Sequence, residues 1–354
     1  MKADFPERID LQLTYFCNLH CKMCGQWGRN GIFRKIASEL KKKEIAASKW
    51  LPVIDAAAAH GSEICLWGGE PLMSESFPAI LGKIRESGVS ASIVTNGTLL
   101  EKFAASIAGS NIKTIYLSLD GDSETHDRVR GMPGAFSKLR KGVEKIIKLR
   151  GASEYPSVEI LSVVQKDNQD KLERIMQTAS ELGADRIQFA PLMFIDQNIH
   201  EKQRTVMREA LDCDWQCSSG WDLPDSKADP DVVDPFLRKL PCRFDNIEAI
   251  TTLPANASLR EWQEKPELTF GPRKCIVPWK KLNIMPDGNC NFCMDFPDYS
   301  IGNINERSIE SIWYGDRAER FRSAMETLGI FPACSRCIWL YNDCFERKHD
   351  QNIF

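Results

Sequence analysis

Long apolar stretches, a surplus of one charge and an export signal are all missing from this chain. No run approaches the ~20 apolar residues that a membrane-spanning helix needs, which excludes a helical span. The first ten residues, MKADFPERID, carry charges where a cleavable signal would have its apolar centre, so a cytoplasmic location is expected. Lysine and arginine number 46 against 49 aspartate and glutamate, a net charge of -3. That balance leaves no electrostatic footprint for nucleic acid or for an anionic membrane surface. Internal repeats and low-complexity tracts are absent as well. The rest is ordinary globular usage, 43% hydrophobic and 27% charged over 354 residues, enough for about two or three domains.

Cysteine is the exception. Thirteen are present, and a cytosolic chain with that many thiols more often binds metal than forms disulfides. Cys17, Cys21 and Cys24 stand together in CNLHCKMC. Cys275, Cys290, Cys293, Cys334, Cys337 and Cys344 crowd the C-terminal region, and Cys65, Cys213, Cys217 and Cys242 are scattered between. Buried cysteine behaves as a small hydrophobe, so Cys65, inside the run EICLW, is expected in the core. Cys213 and Cys217 could clamp a metal, but two thiols without further partners make a poor site, and they read as structural.

From residue 9 to about 200, β-rich runs alternate with helical patterns. The strand candidates are 9–14, 63–67, 91–95, 114–119, 158–164 and 186–190. A helix is expected over 170–182, where Leu172, Ile175, Met176, Ala179 and Leu182 line one face; Asn168 or Asp170 would cap it and Gly183 follow it. Strand–helix alternation implies parallel strands joined by crossovers. Six units give an α/β fold, an open partial (β/α)6 barrel over residues 1–200, with its chemistry at the C-terminal strand ends. Residues 201–272, rich in Pro and Asp around 222–235, read as a linker or substrate-covering segment, with helical pieces near 201–212 and 258–264. Residues 273–354 form a small cysteine-rich domain with a hairpin at MPDG and a helix near 308–327. Metal ligation is expected to supply the stability that its small apolar core lacks.

Cys17, Cys21 and Cys24 follow the first strand candidate and so fall in the first βα loop. Three thiolates can hold three irons of a [4Fe–4S] cluster that normally takes four cysteines. A zinc site is the alternative; it wants four closed ligands, and His20 would have to reach back toward its neighbour to complete one. The C-x3-C-x2-C spacing resembles the radical S-adenosylmethionine (radical SAM) superfamily. Gly68-Gly69-Glu70, Asn96 in TNG, Ser118 in SLDG and the following HDRVRG strengthen the likeness, each beyond a strand candidate. The resemblance implies that Gly68, Gly69 and Glu70 bind the methionine amino group. Ser118 would contact the ribose, Met23 lie against adenine, and Arg130, rather than Arg128, pair with the SAM carboxylate. Asn96 would also belong to the SAM site.

Farther along, Cys275, Gly288, Cys293, Cys334 and Cys337 resemble the auxiliary-cluster extension called SPASM, or its shorter form, twitch. The resemblance implies one auxiliary [4Fe–4S] cluster held by the four cysteines, with Cys290 unligated. Only Cys344 is left for a second cluster; it is instead a candidate hydrogen-atom donor. Arg273, Lys274, Lys280 and Lys281 flank the first auxiliary ligand, as a solvated basic edge or as a site for reductant or an anionic substrate.

Such an enzyme would take one electron from an external flavodoxin- or ferredoxin-type reductant and split SAM to a 5′-deoxyadenosyl radical. That radical would abstract a substrate hydrogen atom, and the auxiliary cluster would accept a second electron. The strand pattern begins by residue 9, without a leader-peptide recognition domain, and this favours oxidation of a small polar amino-sugar or cyclitol-like substrate. Peptide cross-linking, oxidation or epimerisation is the second reading. The non-enzyme alternative is a cysteine-rich zinc-binding protein. Trp215, Trp221 and Trp262 are expected in the core or over the substrate.

Overall fold

The six β-rich runs become six consecutive parallel strands in the computed structural model, which describes residues 3–28, 31–36, 39–40 and 42–341. They are β1 (Arg8–Gln12), β2 (Glu63–Trp67), β3 (Ala91–Thr95), β4 (Ile112–Ser118), β5 (Ser157–Val164) and β6 (Arg186–Pro191). Side chains alternate between two faces, as a pleated strand requires. Val158, Ile160 and Val164 of β5 are buried, while Glu159 and Leu161 between them are half-buried. Ile9, Leu11, Ile64, Leu66, Ile93 and Ile160 join Ile54, Ile80, Ile107, Ile146 and Ile175 of the covering helices in one core.

The sheet does not stop at six strands. β7 (Cys242–Phe244), β8 (Ile247–Thr251), β9 (Lys281–Ile284), β10 (Asn289–Asn291) and β11 (Gly302–Asn303) extend it at both ends, in the linear order β11-β10-β9-β1-β2-β3-β4-β5-β6-β8-β7. Both β8 beside β6 and β9 beside β1 are parallel. The sheet is therefore open and wider than the sequence implied. Residues 201–272 supply two of its strands, β7 and β8, so the expected divisions near 200 and 273 do not break it.

Local signals explain most helix ends. The helix Leu172–Glu181 buries the expected face, and Gly183 follows with φ +74°. Its N-cap is Lys171, without a side-chain cap bond. Asn168, one of the expected caps, instead accepts from Gln165 N and donates to the Asp120 and Val163 carbonyls. The helix Leu259–Glu264 starts with a reciprocal capping box between Ser258 and Glu261. Asp287-Gly288 turns the β9–β10 hairpin, with Gly288 at φ +86°, which glycine adopts without cost.

The C-terminal region has more apolar support than expected. The helix foreseen near 308–327 is two, Ile309–Trp313 and Asp316–Leu328. Phe292, Trp313, Phe321 and Phe331 pack ring against ring in the same core as the strands. Arg322, 2% exposed, lies over Trp313 and donates to the Pro278 and Trp313 carbonyls. Among the described residues, no helix is long and apolar enough to cross a membrane.

Candidate functional site

The cysteine triad sits where β1 ends and the chain folds over the C-terminal strand ends. Cys24 N bonds Cys21 O and Gly28 N bonds Cys24 O, closing tight turns. From outside, His20 N donates to Arg130 O and Lys22 N to Val129 O, so the helix Ser123–Arg130 clamps the loop. Cys17, Cys21 and Cys24 pack in one cluster with Leu19 and Met23. Each sulfur meets a donor: Leu19 N lies 3.4 Å from Cys17 Sγ, Trp27 N 3.2 Å from Cys24 Sγ, and Arg130 Nη1 3.7 Å from Cys21 Sγ. Burial, and then the neighbouring thiol Cys21, push the Cys17 thiol up; burial also pushes Cys21 up to about 11, although Arg130 opposes it. Three closely placed thiols surrounded by N–H donors suit a thiolate-bound iron–sulfur cluster, whose charge such donors stabilise. His20 is exposed on this loop.

The motif residues ring the triad, but their roles in the fold differ from a bare ligand cradle. A Cβ on Gly69 would stand 2.1 Å from Phe16 O, and one on Gly68 2.9 Å from Thr14 O. Both glycines thus let β2 pass against the backbone that leads into the cysteine loop. Glu70 is fully buried and accepts from Thr95 Oγ1 (2.6 Å), Asn96 N (2.8 Å) and Leu72 N (3.2 Å). Burial pushes it up to about 7 despite these donors. Asn96 donates to Asn18 Oδ1 at 2.9 Å and faces Cys17 Sγ at 3.7 Å, tying β3 to the loop. Ser118 is half-buried at the end of β4. Arg130, expected on the SAM carboxylate, is 2.6 Å from Asp120 Oδ2 and is 8% exposed, whereas Arg128 reaches the Asp167 carbonyl at the surface. Asp120 and Asn18 were not singled out by the sequence, although SLDG and CNLHC contain them.

The four expected auxiliary cysteines come together. Cys275, Cys293, Cys334 and Cys337 line one cavity with Lys281, Asp295 and Trp339. Burial, and then neighbouring thiols, push the Cys334 thiol well up. The four thiols share the lining of this one cavity, the arrangement that a four-cysteine cluster needs. Cys290 lies apart, fully buried in the core. Cys65 is also fully buried, beside the charges of Arg8 and Asp10. Cys344 lies outside the described residues. Of the basic edge, Lys274 pairs with Glu326 and Lys280 with Glu7, but Lys281 is 1% exposed and faces inward.

The 3-10 turn Cys217–Trp221 joins the two sites. Trp221 packs on Gly25 of the triad loop, near enough that a Cβ there would overlap its ring, and its Nε1 donates to Asp295 O. Cys217 donates to the Asp298 carboxylate, and Cys213 Sγ to the Asp298 carbonyl. Trp215 and Trp262 are core residues, the latter donating to Leu192 O at 3.0 Å. A cleft of about 530 Å³ opens here between Tyr15 and Phe33 on one side and Met285, Asp287 and Asp298 on the other, with Cys217 on its wall.

A family model for the radical SAM superfamily matches residues 11–179, and one for the SPASM iron–sulfur cluster-binding domain matches residues 275–338. In sequence, the chain is similar to an Fe-coproporphyrin III synthase from Methanosarcina barkeri. The two are 25% identical over 347 residues, 93% of this chain and 79% of that protein. It is also similar to a PqqA peptide cyclase from Ruegeria pomeroyi, 25% identical over 345 residues, 95% of this chain and 81% of that one. The fold resembles Streptococcus suis SuiB bound to its precursor peptide SuiA, with a TM-score of 0.62 and 19% identity. That likeness covers 90% of this chain and 67% of SuiB.

Proposed function

We propose, for a chain that is a radical SAM superfamily member with a C-terminal SPASM domain, that it oxidatively modifies a peptide held between its two cysteine sites. The observation that carries this reading is the cleft between Tyr15 and residues 31–36, which flank the triad loop, the Cys217 turn and residues 285–300 of the C-terminal module, whose auxiliary thiols line a separate cavity. When bound, the triad cluster and SAM supply one-electron cleavage of SAM and a carbon radical that abstracts a hydrogen atom. The chain's own residues do the rest. Cys17, Cys21 and Cys24 would hold three irons, and Cys275, Cys293, Cys334 and Cys337 the auxiliary cluster. Gly68, Gly69, Glu70, Asn96, Ser118, Met23 and Arg130 would shape the SAM site, Arg130 through its hold on Cys21 and Asp120. Trp221 and the Cys217 turn would shield the space between the sites from water. An external one-electron donor of flavodoxin or ferredoxin type would feed the triad.

The sequence alone favoured a small polar alcohol. Two of the three named relatives move the weight, since the cyclase acts on a peptide and SuiB binds one, whereas the third is an Fe-coproporphyrin III synthase. Anaerobic incubation with SAM and dithionite tests the reading, offering a perdeuterated peptide digest and, separately, a perdeuterated small-metabolite pool. Deuterium in 5′-deoxyadenosine from the peptide pool is the expected result. Deuterium from the small-metabolite pool alone would return the substrate to that class.

A further inference from the structure

A buried lysine faces the auxiliary thiols, and its surroundings leave its charge only partly neutralised. Lys281 is the one cation among the residues lining that cavity, and it is 1% exposed. An ammonium carries three donors. Here Nζ meets a single carboxylate oxygen, Asp10 Oδ2 at 2.9 Å, and the weakly accepting Met294 Sδ at 3.7 Å. Its third direction is taken by the face of Trp339, 3.5 Å from the ring centroid. Asp10 is itself shared, because Arg8 Nε holds its other oxygen at 2.6 Å. Burial opposes the charge on Asp10, yet Arg8 and Lys281 together hold it below the usual carboxylate range. Arg8 and Lys281 therefore share Asp10, while Glu63 also acts on Arg8 and Asp295 lies within the field of Lys281. The other ionisable group lining the cavity besides the thiols is Asp295.

We propose that Lys281, balanced by Asp10, sets the reduction potential of the auxiliary cluster. A cluster with four thiolates is an anion in both oxidation states and gains one further negative charge when it takes up an electron. A fixed cation nearby favours the more negative state, and net charge is one of the protein's main levers on such potentials. Lys281 is thus a positioning residue that makes the cluster a better electron acceptor. Asp10, on β1, ties that setting to the barrel wall. The proposal rests on Cys275, Cys293, Cys334 and Cys337 being the auxiliary ligands.

The test is a redox titration followed by electron paramagnetic resonance on the full chain carrying Cys17, Cys21 and Cys24→Ala, so that one cluster remains. Iron counting comes first: about four irons per chain, lost on adding Cys334→Ala, upholds the ligand assignment, and any other count overturns it and the proposal together. With the assignment upheld, Lys281→Gln should reduce the equilibrium constant for one-electron reduction about tenfold, which corresponds to about 59 mV. Asp10→Asn should move it upward, and Lys281→Arg should stay within about threefold of the parent. Opposite signs for the two neutralising variants are what a structural role would not give. If Lys281→Gln fails to hold its iron, Asp10→Asn and Lys281→Arg carry the test. An unshifted potential in loaded Lys281→Gln or Asp10→Asn, shifts of the same sign in those two, or a tenfold shift in Lys281→Arg overturns the proposal.

Discussion

Gly69→Ala separates two explanations of the paired glycines after β2. The family resemblance assigns them to the approach of SAM, whereas the fold already requires them without any ligand. The added Cβ would lie 2.1 Å from Phe16 O, which accepts the Glu70 N–H at 2.7 Å. The overlap is with backbone, so the chain entering the cysteine loop must shift. Overpacking costs about 1–3 kcal/mol, and a weakened backbone hydrogen bond about 0.5–1.5 kcal/mol more, so a loss of about 2–4 kcal/mol is expected. Gly82→Ala is the control. It lies in the helix Phe77–Ser87 with nothing within 4 Å of the new Cβ, and should gain about 0.5–1 kcal/mol from lower unfolded-state entropy. Urea denaturation followed by tryptophan fluorescence, with no SAM present, reads both. If Gly69→Ala unfolds with the parent's midpoint and only SAM affinity falls, the packing argument is wrong and the glycine serves the ligand.

The other expectations concern the cysteines and one buried arginine. Replacing Cys17, Cys21 and Cys24 with Ala should abolish 5′-deoxyadenosine formation and leave about four irons per chain; undiminished formation would remove the triad from the reaction. Replacing Cys334 and Cys337 should leave SAM cleavage uncoupled from product, in a variant first shown to be folded, since metal loss can unfold a small module. A normal ratio of product to 5′-deoxyadenosine would make the auxiliary site purely structural. Arg336, 1% exposed, donates to the Trp262, Leu268 and Lys265 carbonyls. Arg336→Met strands these acceptors and should cost at least about 3 kcal/mol in urea denaturation, whereas a loss under about 1 kcal/mol would mean that water replaces the guanidinium.

Strands β1 to β6 were legible because parallel strands covered by helices read as short β-branched runs. Their observed ends differ from the expected ones by a few residues at most, as at β4, expected over 114–119 and found at Ile112–Ser118. β8 was not legible, and β9 was legible only as an arm of the MPDG hairpin, not as the neighbour of β1. β8 is five residues, IEAIT, within a region rich in Pro and Asp. β9, KLNI, carries Lys281 and Asn283, which look like surface residues, yet both are buried. The cluster ligands could be read because the triad and the C-x2-C pair are local spacings. Their partners could not: Asp10 and Lys281 are 271 positions apart, and only the pairing of β9 with β1 brings them together. Arg130 was legible as a residue of the site but not in its engagement, since nothing local in the sequence says that Asp120 takes its guanidinium.

The two cysteine sites share a physical arrangement that no spacing rule announces. At the triad, Arg130 lies 3.7 Å from Cys21 Sγ and is paired with Asp120, just past the end of β4. At the auxiliary cavity, Lys281 is paired with Asp10 on β1. Burying an unpaired cation is costly, and burying one fully neutralised would leave little field at the thiols. A carboxylate carried by the barrel wall offsets part of that cost at both places and fixes the cation, while part of its field reaches the sulfurs. On the proposal above, Lys281 and Asp10 carry stability and redox tuning together, and Arg130 and Asp120 are placed to do the same. Removing either carboxylate should therefore act in two directions at once, lowering the stability of the fold while raising the affinity of the neighbouring cluster for an electron. A purely structural ion pair would change only the first.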